Sequence, residues 1–313
     1  MREYFLAFIK GIGMGAANVI PGVSGGTIAF ITGIFERLVN ALKSFNFTAI
    51  KLFFTGKFKE FAKHIDLYFL LSVFLGIGIS IITFAKLLQY LFENYEVMVW
   101  AYFFGLILAS VYYVGKTISK WTWSVITVFI IGFVIAFAFT MLTPAQETNT
   151  VPYNFFAGAI AACAMILPGL SGSFVLLLMG NYQLIMIDSV SNFDFSVLIP
   201  VVIGAVLGII AFSYFLSWIF KKYKDQTISL MTGFILGSLA VIWPWKNVVS
   251  TYIDKYGATR PLKTINVMPE TYGTYNNTDP HLWQAVLLMI LGIITIVVIE
   301  YIAAKSKKQS KSE

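Results

Sequence analysis

Two short peptides place proline, glycine and serine inside long apolar stretches of the chain. Residues 21–27 read PGVSGGT, and residues 168–174 read PGLSGSF. Proline and glycine interrupt a helix, and serine is a preferred N-cap of the helix that follows, here at Ser24 and Ser171. The first amides of such a helix lack intrahelical partners and carry the positive end of the helix dipole, about half a charge. This arrangement favours the binding of an anion such as a phosphate or a carboxylate.

The candidate anion-binding residues come from both peptides and from one nearby amide. Asn18 lies one turn before the first peptide and either contacts the ligand or stabilises the turn. No His-Asp-Ser set and no metal-ligating cluster accompanies Ser24, so the sequence predicts no catalytic residue, no metal and no cofactor. The predicted site comprises Asn18, Pro21, Gly22, Ser24, Gly25, Gly26, Thr27, Pro168, Gly169, Ser171, Gly172 and Ser173.

Three charged residues are candidates for a gate or for electrostatic attraction of the ligand. Glu36 and Arg37 follow the first peptide and belong at the predicted cytoplasmic mouth. There Arg37 either attracts a phosphate or anchors its helix among the lipid headgroups. Lys86 lies inside a predicted span, where it either gates the passage of a phosphate or extends its ammonium to the interface.

The composition indicates which elements must position these residues. Of the 313 residues 58% are hydrophobic and only 12% are charged, which is outside the range of soluble globular domains. Apolar runs recur at about the 20 residues that a helix needs to cross a membrane, and the alternation typical of barrel strands is absent. We predict an all-α integral membrane protein with spans at 67–92, 97–115, 122–142, 195–220, 227–245 and 282–302.

The distribution of lysine and arginine predicts the topology. The stretches 4–42 and 152–187 carry the two peptides, and we expect each to enter the membrane and return on the same side as a re-entrant hairpin. Every dense basic cluster then falls in the cytoplasm, together with both termini, and the long loop at 246–281 lies outside. The lysine runs belong to no folded basic domain, so nucleic-acid binding is not expected.

The chain also repeats itself, with insertions only in loops. Matched glycines at offsets of 147, 128 and 160 positions are, in turn, Gly11 with Gly158, Gly76 with Gly204, and Gly132 with Gly292. The predicted repeats are 1–145 and 146–313, each one hairpin followed by three spans. Because three is odd, the second repeat has inverted topology, a plan common in secondary transporters whose substrate binds between the repeats.

The peptides NVIPGVSGGT, GIFERL and PGLSGS resemble those of the PopT family of bacterial polyprenyl-phosphate transporters, and the similarity covers essentially the whole chain. The resemblance implies a plasma-membrane protein that flips undecaprenyl phosphate from the outer to the cytoplasmic leaflet by alternating access. It implies roles for the matched residues of both peptides and for Asn18, Glu36 and Arg37.

Two other function classes stay open. Undecaprenyl-pyrophosphate phosphatases share inverted repeats and a PGxSRSG peptide, but Gly25 and Gly172 replace its arginine and the glutamate-rich partner motif is missing. Such a chain lacks the cationic clamp and the acid-base pair of that reaction, so we expect no enzyme. A secondary transporter of small anions is the third class, and transport assays in proteoliposomes separate it from a lipid transporter.

Overall fold

A computed structural model describes residues 2–19, 24–142, 145–253 and 259–309, and the chain within these ranges is mainly helical. The predicted site residues Pro21 and Gly22 lie outside the described residues. Lys86 lies within a described helix, but its side chain is likewise outside the description.

Three helices carry the first peptide. α1 (Arg2–Val19) leads to it, α2 (Gly25–Ile31) leaves it, and α3 (Phe35–Lys43) follows after a sharp turn. Gly33 makes this turn with a φ of 73°, in the left-handed region that favours glycine. The limb after the peptide is therefore two short helices and not one continuous helix. Two more short helices follow: α4 (Phe47–Phe54) and α5 (Phe58–His64).

The remaining helices of the first half match its three predicted spans. α6 (Leu67–Gly115) covers the first two spans, and α7 (Trp123–Phe139) covers the third. Within α6 the backbone of Tyr95 is non-helical, with φ −141° and ψ 40°. This kink falls between the predicted spans 67–92 and 97–115, where the sequence predicts a turn.

The second half follows the same order. Its helical elements are α8 (Val151–Ile166), α9 (Gly172–Leu178), a π-helical segment (Gln183–Ser189), α10 (Val190–Asn192), α11 (Phe195–Lys222), α12 (Lys224–Ser238) and α14 (Leu282–Gln309). The loop before α14 departs from an all-α fold. There β1 (Lys246–Ile253) pairs antiparallel with β2 (Thr259–Asn266), and the short helix α13 (Pro269–Asn276) follows.

Helix pairs meet at glycines, because their backbones are too close for a side chain between them. On α6, a Cβ added at Gly76 would clash with the carbonyl oxygen of Phe8 on α1. On α11, a Cβ added at Gly204 would clash with the carbonyl oxygen of Phe155 on α8. The two contacts correspond at the predicted offsets of 128 and 147. Two further pairs of contacts correspond in the same way. The contact of Gly105 with Met289 corresponds to that of Gly233 with Phe129, and the contact of Gly132 with Leu230 corresponds to that of Gly292 with Tyr102.

Several helices have the length and composition of membrane spans. Among the described residues, Tyr90–Gly115 and Phe195–Lys222 are long and apolar enough to cross, and α5 with Leu67–Thr83, bent by 66°, would make a third. Shorter apolar helices are Trp123–Phe139, Val151–Ile166 and Leu282–Val298. These helices indicate a membrane protein. The six crossings and the re-entrant path of the two hairpins stay predictions.

Candidate functional site

The two peptides contact each other although they are far apart in sequence. The amide of Gly169 donates to Oγ1 of Thr27 at 2.8 Å, across 142 positions of the chain. Oγ of Ser24 lies within hydrogen-bonding distance of the carbonyl oxygens of Met165 (3.2 Å) and Leu167 (3.3 Å). Thr27 and Ser24 are themselves buried, with exposed fractions of 2% and 3%. Ser24 and Thr27 of the first peptide and Gly169 of the second thus form one buried junction.

Glycine lets the backbones at this junction approach each other. A Cβ at Gly26 would clash with the carbonyl oxygen of Ile166, at the end of α8. Gly169 has a φ of 84°, and a Cβ there would lie 2.5 Å from the carbonyl oxygen of Phe234 on α12. Any larger residue at either position must therefore move the backbone that it faces, so Gly26 and Gly169 serve this close packing.

Three backbone amides of the first peptide are hydrogen-bonded within the first half of the chain. Ser24 is the N-cap of α2, and its Oγ accepts from the amide of Gly26 at 3.1 Å. The amide of Gly25 donates to Oδ1 of Asn18 at 2.8 Å, and the amide of Thr27 donates to the Ser24 carbonyl at 2.9 Å. These three amides were expected to face a ligand, but here each has a partner within the chain. In this structure Asn18 therefore stabilises the start of α2.

The second peptide has fewer of its hydrogen-bond donors paired within the chain. Ser171 is the N-cap of α9 but makes no side-chain cap bond, and its Oγ lies 2.8 Å from Oγ of Ser173. Within the described part of the chain, the amides of Gly172 and Ser173 find no hydrogen-bond acceptor. The two peptides differ in sequence at these positions, and they differ accordingly in how many donors they leave for another molecule.

Both short helices after the peptides end in the same way. The amide of Ile34 donates to the Ala29 carbonyl, and the amide of Asn181 donates to the Leu176 carbonyl, each at 3.0 Å. Asn181 was not among the predicted site residues. It is fully buried, and its side-chain amide group contacts Thr148 and Asn154. A polar residue directly after a repeated glycine, Gly180, is the signal that could have identified it.

Arg37 is held between two carboxylates. Its Nε and Nη2 donate to Oδ2 (2.6 Å) and Oδ1 (3.0 Å) of Asp66, and its Nη1 donates to Glu3. The guanidinium also lies over the ring of Phe69, 4.2 Å from the centroid. This ion cluster, defined as Glu3, Arg37 and Asp66, connects α1, α3 and the start of α6. The sequence does not predict Glu3 and Asp66 as the partners of Arg37, because nothing local indicates which acid this arginine meets.

A cleft of about 480 Å³ opens beside the ion cluster. Its lining residues are Gly33, Glu36, Arg37, Asn40, Ala41, Ser44 and Asp66. The structure thus brings Glu36 and Arg37 together at one cleft, whose lining contains no residue of the two peptides. Oγ of Ser217 on α11 donates to Oδ1 of Asn40 at 2.9 Å, which links α3 to the second half. Among the described residues no group of His, Cys, Asp and Glu is placed to hold a metal ion.

The chain is similar over most of its length to proteins named as lipid transporters. The model of a family described as undecaprenyl phosphate translocase-like matches residues 14–260. A polyprenyl-phosphate transporter of Vibrio cholerae is 38% identical over 295 residues, which are 94% of this chain and 95% of the relative. A polyprenyl-phosphate transporter of Staphylococcus aureus is 30% identical over 275 residues, which are 81% of this chain and 92% of the relative. No solved structure matches the chain.

Proposed function

The chain belongs to the undecaprenyl phosphate translocase-like family, and from this membership we propose that it carries a polyprenyl phosphate between the leaflets of the bacterial plasma membrane. The observation that carries the proposal is the buried junction of the two peptides, where the Gly169 amide meets Thr27. A phosphate headgroup needs a polar site inside the membrane, whereas the prenyl tail can stay in lipid. Irregular backbone at membrane depth is tolerated where it is buried in protein or lines a wet cavity.

The proposed architecture is two repeats of inverted topology, 1–145 and 146–313, each with a re-entrant hairpin. The recurrence of the glycine contacts at the predicted offsets supports it, as does the equivalent turn at Gly33 and Gly180. In this arrangement both termini are cytoplasmic. The hairpins enter from opposite faces and meet at the junction, which gives the phosphate access from either side in turn.

The proposed phosphate site is centred on the second peptide. Its hydroxyls, on Ser171 and Ser173, and the amides of Gly172 and Ser173 are donors that an incoming phosphate can engage. In the first peptide a phosphate must displace the Asn18 amide group from Gly25 before that amide can bind it. Ser24, Thr27 and Gly169 form the junction beside it. The two peptides therefore offer a phosphate unequal numbers of donors.

The ion cluster is the proposed gate on the cytoplasmic side. It ties α1, which leads to the first peptide, and α3, which follows α2, to the start of α6. Opening a path to the junction requires these helices to separate, and the carboxylates of Glu3 and Asp66 compete with a phosphate for Arg37. Arg37 can thus release one partner and accept another without leaving its charge unpaired.

Transport in proteoliposomes tests the proposed function. We expect purified protein to move a fluorescent undecaprenyl phosphate to the leaflet where a membrane-impermeant quencher cannot reach it. Imposing a proton or sodium gradient in the same assay identifies any coupling ion. Movement of inorganic phosphate without movement of the lipid would instead indicate a small-anion transporter. Release of inorganic phosphate from undecaprenyl pyrophosphate would indicate an enzyme.

A further inference from the structure

An apolar groove of about 300 Å³ lies where α6, α7 and α12 meet. Tyr112 and Gly115 line it from the end of α6, Phe129 from α7 and Thr232 from α12. The groove exists because two of its lining residues, Gly115 and Thr232, are small. A Cβ added at Gly115 would make ordinary van der Waals contacts, at 3.7 Å with the side chain of Trp121 and at 3.8 Å with that of Thr232, so a side chain fits at this position.

The equivalent place in the second half is filled by the protein itself. At the repeat offset of 128, Gly115 corresponds to Trp243 and Phe104 corresponds to Thr232. The rings of Phe104 and Trp243 pack edge to face with centroids 5.5 Å apart. Nε1 of Trp243 donates to the Val267 carbonyl at 2.9 Å, which fixes the indole in place. One end of the molecule is thus closed by aromatic rings, and the corresponding space at the other end is open.

The rim of the groove combines aromatic rings with a cation. Tyr112 is 65% exposed and Trp121 is 50% exposed, and such amphipathic rings favour the membrane interface. Lys116 lines the groove, is exposed, and forms no ion pair among the described residues. An apolar wall beside an available ammonium group is complementary to a lipid that has one hydrocarbon chain and one phosphate.

The groove lies at about the same depth along α12 as the second peptide, but on another face of this helix. Thr232 precedes Phe234, whose carbonyl faces Gly169, by two positions, which is about 3 Å of helix rise and about 200° of rotation. We propose that the groove binds the first isoprene units of a polyprenyl phosphate on the cytoplasmic side, with Lys116 holding the phosphate. This rests on the proposed function and adds to it a second lipid-binding site, on another face of α12 from the central site. The second half has no such site, because Trp243 and Phe104 occupy it.

Photolabelling in proteoliposomes tests the groove directly. The probe is a polyprenyl phosphate with a diazirine in its first isoprene units, and labelled residues are found by mass spectrometry. We expect labels on Tyr112, Trp121 or Phe129. Gly115→Trp fills the groove as Trp243 does in the other half and should lower labelling about tenfold. Gly78→Trp is the matched control, because a Cβ at Gly78 meets nothing within 4 Å and the groove stays open.

Two further variants keep the test decisive if Gly115→Trp does not fold. Thr232→Phe introduces the residue found at Phe104 and should lower labelling in the same way. Lys116→Gln should weaken labelling by the polyprenyl phosphate and leave labelling by the uncharged polyprenol unchanged, whereas Lys59→Gln on the exposed surface should change neither.

Several results would overturn the inference. Unchanged labelling in Gly115→Trp and Thr232→Phe would do so, as would a photoreactive phosphatidylglycerol that labels the groove and is not displaced by excess polyprenyl phosphate. Photolabelling measures binding of the lipid in the groove and does not depend on transport. A labelled groove in a protein that moves no lipid therefore contradicts only the proposed function, and lipid transport with an unlabelled groove contradicts only this inference.

Discussion

The amide of Gly169 donates to the hydroxyl of Thr27 over 2.8 Å, and this bond joins the two motif peptides. The second half cannot return the same bond, because Phe174 stands at the position equivalent to Thr27. The junction is therefore asymmetric: Ser24 and Thr27 of the first peptide contact the backbone of the second half, whereas the donors of the second peptide are left for another molecule.

Replacing Thr27 by valine should destabilise the junction. The change keeps the shape of the side chain but leaves the Gly169 amide without its acceptor, at a cost of about 1–3 kcal/mol in the free energy of unfolding. We expect a lower melting temperature in detergent and slower lipid transport, and Thr27→Ser should preserve both. Thr140→Val is a control, since Thr140 is partly exposed and bonds only within its own helix. Equal stability of Thr27→Val and the wild type would contradict the bond's importance.

An aspartate at Ser171 should block transport and leave the protein folded. Aspartate is a good N-cap residue, so α9 is retained, but its charge repels a phosphate from the proposed site. Ser171→Asn is the neutral control and should retain more activity. Ser24→Asp is a poor substitute for this test, because its carboxylate would face the carbonyl oxygens of Met165 and Leu167. Normal transport by Ser171→Asp would contradict the proposal that the phosphate binds at this peptide.

Matched glycines in the two halves should respond alike to alanine. Gly76→Ala and Gly204→Ala each place a methyl group against a carbonyl oxygen, of Phe8 and of Phe155, and overpacking of this kind costs about 1–3 kcal/mol. Gly78→Ala, two residues along the same helix and in open space, should be neutral or stabilising. Melting temperatures in detergent measure the differences. A tolerated change in one half and a severe one in the other would argue against equivalent packing.

Breaking the ion cluster should affect transport more than stability. Arg37→Lys keeps the charge but cannot bind both oxygens of Asp66, and for a partly exposed pair the loss of stability is about 1 kcal/mol or less. If the cluster is the gate, the transport rate changes while the melting temperature hardly moves. Lys57→Gln, which breaks the exposed pair with Glu60, is the control and should alter neither quantity.

Lys246 should make stability depend on pH. Burial lowers its pKa from 10.5 to about 7, a shift that the nearby charge of Glu96 opposes, and its ammonium lies over Trp100 at 3.7 Å. Between these values the unfolded chain binds a proton that the folded protein does not, so stability should rise from pH 7 towards pH 10. Lys246→Met should remove this rise, whereas Lys120→Met, at an exposed site, should keep it. Thermal melts across this range measure the slope.

Much of the fold could be predicted because its signals are local or repeated. The apolar runs indicated helices at every predicted span, and the turn between the first two spans appears as the kink at Tyr95. Ser24 could be identified as an N-cap from the residues around it. The β-hairpin that begins at Lys246 was not anticipated, since its strands show no clear alternation and lie in a long polar loop.

By itself, the sequence determined the helical membrane character of the chain, the matching order of its halves and the two peptides that interrupt them. These follow from hydropathy and from backbone preferences that act over a few residues. Only the tertiary structure decided that Thr27 meets Gly169, that Asn18 occupies the Gly25 amide, and that Arg37 is shared by Glu3 and Asp66. Such pairings join residues distant in sequence, and they depend on how closely the packed helices let particular polar atoms approach.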